Sequence, residues 1–204
     1  MRHAAPSAHL PTDNEWQIPT LRADVPARVE LPVIPWGSVA RASAIHRGIL
    51  CCYVDDYRFA RLLDDPLQLI ETGCKQAVEP NVSLFLDTPM AYALWVTYRK
   101  RYCSRLWQDA GVGILVDLCV PAEFESINLI GVPRGYRWWA TRGFAARPGD
   151  VQRECATAVR YGGPDAVVVV YGGGKPIREL CRTIPNAVWA QQFADGRRGL
   201  TNIG

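Results

Sequence analysis

Several chemistries leave no signature in this chain. Its seven cysteines are an odd set without C-x-x-C spacing and include the adjacent pair Cys51-Cys52, which argues against a disulfide framework or a cysteine zinc site. They read as reduced thiols serving as small core hydrophobes. Only three histidines occur, with no H-E-x-x-H pair, and there is no G-x-S-x-G elbow, so zincin and serine-hydrolase chemistry lack their motifs. No apolar run reaches membrane-spanning length, and the first residues lack the long hydrophobic stretch of a signal peptide. A soluble, cytoplasmic chain with no membrane partner is therefore predicted. Excess charge is also scarce: 23 Lys and Arg against 20 Asp and Glu leave a formal +3, mild for a domain that works mainly by neutralising phosphates.

What is present fits one domain. With 204 residues, 49% of them hydrophobic, the chain can bury a sizeable core. Residues 1–30 carry Pro6, Pro11, Pro19 and Pro26 without helical or strand periodicity and read as an extended N-terminal arm. A single α/β domain is expected over 31–195, then a polar tail over 196–204 with Arg197-Arg198 just inside it. Leu31 to Trp36, with its two prolines, is expected as an extended strap, serving packing or partner binding.

The organising stretch is Asp165 to Pro185. Four consecutive valines and Tyr171 are apolar on both faces, as a covered parallel strand requires. Gly172-Gly173-Gly174 then permits positive φ, and Lys175-Pro176 opens an amphipathic helix. Further strands are expected at Ile49–Val54, Gln76–Val82, Ile114–Val120, Tyr136–Phe144 and Ala187–Phe193. Helices are expected at Tyr57–Leu63, Pro66–Thr72, Pro89 to about Asp109 (capped by Asp87 or Thr88), around Phe124–Leu129, and from Pro148 to Arg160. Strands alternating with helices predict an α/β fold with a mainly parallel sheet, either an open doubly wound sheet or a partial barrel.

On the long helix, Tyr92, Trp95, Tyr98, Tyr102, Cys103 and Leu106 share one arc at 100° per residue, and Thr97, Lys100, Arg101, Ser104 and Gln108 share the opposite one. The first arc is expected to face the core. Arg99 falls inside it and needs a counter-ion, for which Asp117 is the candidate.

Parallel strands deliver their carboxyl ends to one rim, where ligands bind in both architectures. The rim set is Asp55 and Asp56, Asn81 and Ser83, Asp117, Thr141 and Arg142, Gly172 to Lys175, and Gln191 and Gln192. Asp55, Asp56 and Asp117 can act as acid, base or hard-metal ligands, or Asp55-Asp56 can cap the following helix. Gly172, Gly173, Gly174, Lys175 and Arg142 can receive an anion, although neither G-x-x-x-x-G-K-[ST] nor G-x-G-x-x-G is present and a tight turn needs the same glycines. Lys100, Arg101 and Arg105, interleaved with tyrosines, suit nucleic acid or a plain solvated face. No cofactor, metal or oligomeric state follows from these residues.

Asp55-Asp56-Tyr57-Arg58-Phe59, Glu79-Pro80-Asn81-Val82-Ser83-Leu84-Phe85, Asp87-Thr88-Pro89, Thr97-Tyr98-Arg99, Leu106-Trp107-Gln108 and Gly131-Val132-Pro133 resemble, in that order, the domain-of-unknown-function family 4417. The similarity spans roughly Leu31 to Phe193. It implies a protein of bacteria, phages or other mobile elements acting in a bacterial host cell, and draws attention to Asp55, Asp56, Asn81, Ser83, Asp87 and Arg99. Where the family usually shows an acid, this chain has Asn81. Three functions are in view: an accessory protein binding nucleic acid or another phosphate-bearing partner, an enzyme acting on a small phosphorylated or carboxylated substrate, and a module docking on a larger assembly through its arm.

Overall fold

The computed structural model describes residues 10–23, 28–37 and 48–192. His3, His46, Phe193 and the tail with Arg197-Arg198 lie outside the described residues. Seven strands form the sheet: β1 Val33–Pro35, β2 Ile49–Cys51, β3 Gln76–Val78, β4 Gly113–Asp117, β5 Trp138–Arg142, β6 Val167–Tyr171 and β7 Ala187–Ala190. All neighbours are parallel and their spatial order is their sequence order. That order decides between the two expected architectures. A doubly wound sheet reverses direction once, whereas right-handed connections that always advance keep the helices on one face and curl the sheet into a half-barrel.

The helices are α1 Asp56–Asp64, α2 Leu67–Glu71, α3 Met90–Asp109, α4 Glu125–Asn128 after a tight turn at Ala122–Phe124, α5 Pro148–Gly162 and α6 Gly174–Cys181. Strand alternation sets what each face holds. Ile34, Leu50, Cys52, Ala77 and Ile114 point outward and pack on Phe59, Leu62, Leu69, Cys103 and Trp107 from the first three helices. Val33, Ile49, Cys51, Val78, Leu115, Ala140 and Val169 point inward and share a core with Leu21. The tryptophan pair divides between the two faces, and Trp139 meets Tyr136 and Tyr161 edge-on at 5.9 and 6.2 Å. All seven cysteines are free, six of them buried, as small core hydrophobes would be.

Four local features sharpen or correct the expectations. The proline-bearing strap is strand β1, at an edge where a missing N–H does no harm. Residues 10–23 lie against the domain: Ile18 and Leu21 are buried, Leu21 N donates to Gly131 O at 2.8 Å, and Gln108 Nε2 donates to Arg22 O at 3.1 Å. Gly131 permits this contact, since a Cβ there would lie 2.3 Å from Pro19 O. Neither Asp87 nor Thr88 caps α3; Pro89 holds that position, and Thr88 Oγ1 instead accepts from Phe85 N at 2.8 Å.

The fourth concerns the face that α3 buries. Its inward residues are Ala93, Val96, Thr97, Lys100, Arg101, Cys103, Ser104, Trp107 and Gln108, while Tyr92 and Trp95 are about half exposed. Trp95, Tyr98 and Tyr102 stack on each other along the outside at 5.6 and 6.2 Å. The helix is thus turned so that its amphipathic aromatics meet solvent and its charges meet carboxylates inside.

Candidate anion-binding cleft

Parallel strands bring three loops together at the carboxyl edge. Asn81 to Leu86 follow β3, Cys119 to Glu123 follow β4, and Arg142 ends β5 before Phe144 and Arg147; the first turns of α5 add Asp150, Arg153 and Glu154. They enclose a cleft of about 530 Å³. Local sequence explains its β5 wall. A Cβ at Gly143 would come within 2.8 Å of Ile177 and 3.0 Å of Gly172 O, so only glycine lets the chain leave the strand there, and Pro148 starts α5 with a pre-set φ.

Three arginines line this space. The Arg142 guanidinium makes no hydrogen bond or ion pair among the described residues and lies 5.1 Å from the Phe144 ring centre. Arg147 covers the same ring at 4.5 Å and reaches Asp150 at 3.5 Å. Arg153 donates to Val120 O and to Glu154 Oε1, both at 3.0 Å, and leaves its buried Nε without a partner. Glu154 is 4% exposed and accepts from Thr141 Oγ1 at 2.5 Å. Burial pushes its carboxyl up to about 8; Thr141 and Arg153 pull it down, and Asp117 and Asp150 push it further up. Burial thus favours the protonated form of this carboxyl. The thiol of Cys119, also in the wall, is pushed up to about 12 by burial and is no nucleophile.

Behind the floor lies a closed ionic network. Lys100 Nζ sits 3.4 Å from Asp117 Oδ2 and 3.9 Å from Glu79 Oε2. Arg101 pairs with Glu79 and donates to the carbonyls of Asn128 and Ile130. Asp117 also accepts from Tyr53 Oη at 3.0 Å, Asn81 Nδ2 at 2.9 Å and Cys119 N at 3.1 Å. Two cations and two carboxylates, all but sealed from water, balance in charge, and the hydrogen bonds fill the remaining positions as a buried ionic group requires.

Among the sequence-derived candidates, Arg142, Asn81 and Ser83 line the cleft. Asp56 does not cap α1 or meet Asp117; it accepts from Ser83 N at 3.1 Å and Ser83 Oγ at 3.2 Å. Asp55 takes the N-cap position of α1 without a side-chain cap bond and is exposed. Among the described residues no group of three His, Cys, Asp or Glu is placed to hold a metal ion. Gly172, Gly173 and Gly174 all have positive φ, and a Cβ on Gly173 would lie 2.3 Å from Ile177. These glycines serve a tight turn beside the cleft, and with exposed Lys175 they are not in its wall.

The basic helix face needs correcting. Lys100 and Arg101 are 2% and 0% exposed, and Arg105 is held by Asp109 at 3.1 Å and Thr20 O at 2.9 Å, so this set offers no open track to a phosphate backbone. Arg99 pairs with Asp64 at 2.5 Å near the surface, and Lys100 takes the Asp117 partnership expected of it. Sequence reading missed Arg147, Arg153 and Glu154. Their signal was position: the loop after a strand and the first turns of the next helix face the rim.

The family described as "Domain of unknown function (DUF4417)" matches residues 10–136. Two curated relatives are each called "Gene 1 protein". The one from Mycobacterium phage D29 is 30% identical over 130 residues, 62% of this chain and 48% of its own length. The one from Mycobacterium phage L5 is 34% identical over 98 residues, 46% of this chain and 42% of its own. The chain spans about half the length of the curated relatives it matches. No solved structure matches it. The family match contains all four charged residues of the buried network and stops before Arg142, Arg147, Arg153 and Glu154.

Proposed function

The chain belongs to the DUF4417 family of phage-related proteins, and we propose that it binds a phosphate-bearing ligand in the cleft at the carboxyl edge of its half-barrel. One observation carries this reading: Arg142, Arg147 and Arg153 line a single cleft, with Arg142 lacking any counter-ion among the described residues. Planar guanidiniums match phosphate oxygens in pairs, and cations beside low-dielectric walls draw anions from solution. Glu154 lines the same cleft with its carboxyl pushed up to about 8 by burial; a proton passed from it to a bound ligand is the enzymatic form of the same reading.

Thermal-shift measurement at low ionic strength with inorganic phosphate, pyrophosphate and phosphorylated sugars tests binding. The reading expects stabilisation that grows with ligand concentration, fades with added salt and is reduced in Arg142→Ala. A flat response across the panel at millimolar ligand removes it.

A further inference from the structure

The cleft also carries features that phosphate alone does not use. Phe85 and Leu86 stand in its wall while 67% and 75% exposed, and Phe144 lines it from the loop after β5, with the Arg142 and Arg147 guanidiniums 5.1 and 4.5 Å from its ring centre. Exposed apolar surface inside a cleft gains free energy when a flat apolar partner covers it. Glu123 and Asp150 add acceptors for N–H and O–H donors. An inorganic phosphate would satisfy the arginines and leave Phe85 and Leu86 wet. A phosphorylated sugar would use the arginines and carboxylates and leave the same two residues uncovered. An aromatic acid would cover them and leave the carboxylates without donors.

One ligand class uses all three. A nucleotide brings an anionic phosphate, sugar hydroxyls and a planar base whose edge carries N–H donors. Charge limits the phosphate count: three arginines share the cleft with the carboxylates of Glu123 and Asp150, so the excess positive charge left in the walls suits one phosphate group and not a triphosphate. The volume of about 530 Å³ lies within the few hundred to about 1,000 Å³ usual for small-ligand sites. An extended strand would need further cations along its path, and Lys100, Arg101 and Arg105 are closed off.

Building on the phosphate reading above, we propose that the cleft takes a single nucleoside monophosphate unit, with its phosphate among Arg142, Arg147 and Arg153 and its base covering Phe85. The unit comes either from a free nucleotide or from the phosphorylated end of a strand.

Calorimetric titration at low salt separates these cases, using nucleoside monophosphates, ribose 5-phosphate, unphosphorylated nucleosides and a short 5′-phosphorylated single strand, on wild type and Phe85→Ala. Phe85 is exposed, so the variant keeps its fold. The proposal expects at least one monophosphate to bind about tenfold or more tighter than ribose 5-phosphate, as base stacking on an aromatic side chain supplies. It expects Phe85→Ala to erase that advantage while leaving ribose 5-phosphate unchanged. Tighter binding of the single strand, equally lost in Phe85→Ala, supports the proposal and assigns the unit to a strand end. Equal affinity for ribose 5-phosphate and all monophosphates overturns the nucleotide proposal and leaves phosphate binding standing. Equal affinity for nucleosides and nucleotides, or no binding at all, overturns both.

Discussion

Two sets of cations lie within reach of the same sheet edge, and they differ in how their charge is answered. Lys100 and Arg101 are enclosed by Glu79 and Asp117, with Asn128 and Ile130 carbonyls and Tyr53, Asn81 and Cys119 donors completing the network. Arg142, Arg147 and Arg153 instead line an open cleft with partial compensation from Asp150 and Glu154. A satisfied cation fixes structure; an incompletely satisfied one at a concave surface is available to a ligand. Moreover, the satisfied set falls inside the family match and the available set falls beyond it. In this chain β3 and β4 hold the cleft's floor, while the end of β5, its loop and the first turns of α5 supply the arginines.

The largest effect should come from opening the closed set. Glu79→Ala leaves Arg101 buried without its carboxylate and should lower stability by about 3–5 kcal/mol, read from urea unfolding. Lys100→Met should cost less, about 1–3 kcal/mol, because Asp117 keeps three hydrogen-bond donors.

Next is Glu154, which joins the two regions through Arg153 and the field of Asp117. Its ordinary pKa is 4.5 and its folded value about 8, so between those limits the folded state holds a proton that the unfolded chain releases. Its contribution to stability is therefore fully present below about pH 4.5, declines as pH rises, and is gone above about pH 8, at up to about 1.4 kcal/mol per pH unit. Glu154→Gln should flatten that slope in unfolding free energies measured across the interval. An unchanged slope would show that Glu154 ionises normally.

The smallest effects should come from surface cations. Arg142→Ala and Arg99→Ala should each change stability by no more than about 0.5 kcal/mol. A large loss in Arg142→Ala would move that residue into the structural set and erase the contrast.

The sequence made the parallel architecture legible because the valine run and the strand–helix alternation are local signals. It left open doubly wound against half-barrel because strand order is a long-range property. The α3 error has a different cause. Tyr92, Trp95, Tyr98 and Tyr102 read as core because they are aromatic, yet tyrosine and tryptophan have polar tips and tolerate a wet face. Lys100 and Arg101 read as surface because their carboxylates, Glu79 and Asp117, belong to the sheet, where no helical periodicity can register them. Ala93, Val96 and Trp107 did mark the buried face, but the stripe of four aromatics on the other side outweighed them. At the rim, Arg142 was found because it ends a strand. Arg153 and Glu154 were not, since α5 looked like an ordinary covering helix whose first turns happen to close the cleft.

The most direct test of the contrast is calorimetric titration of inorganic phosphate at low salt into wild type and into Arg142→Ala combined with Arg147→Ala, with unfolding measured on the same samples. Phosphate binding that is lost in the double variant while stability stays within about 1 kcal/mol of wild type is the predicted result. Undiminished phosphate binding in the double variant, or a variant that unfolds as readily as Glu79→Ala, would contradict it.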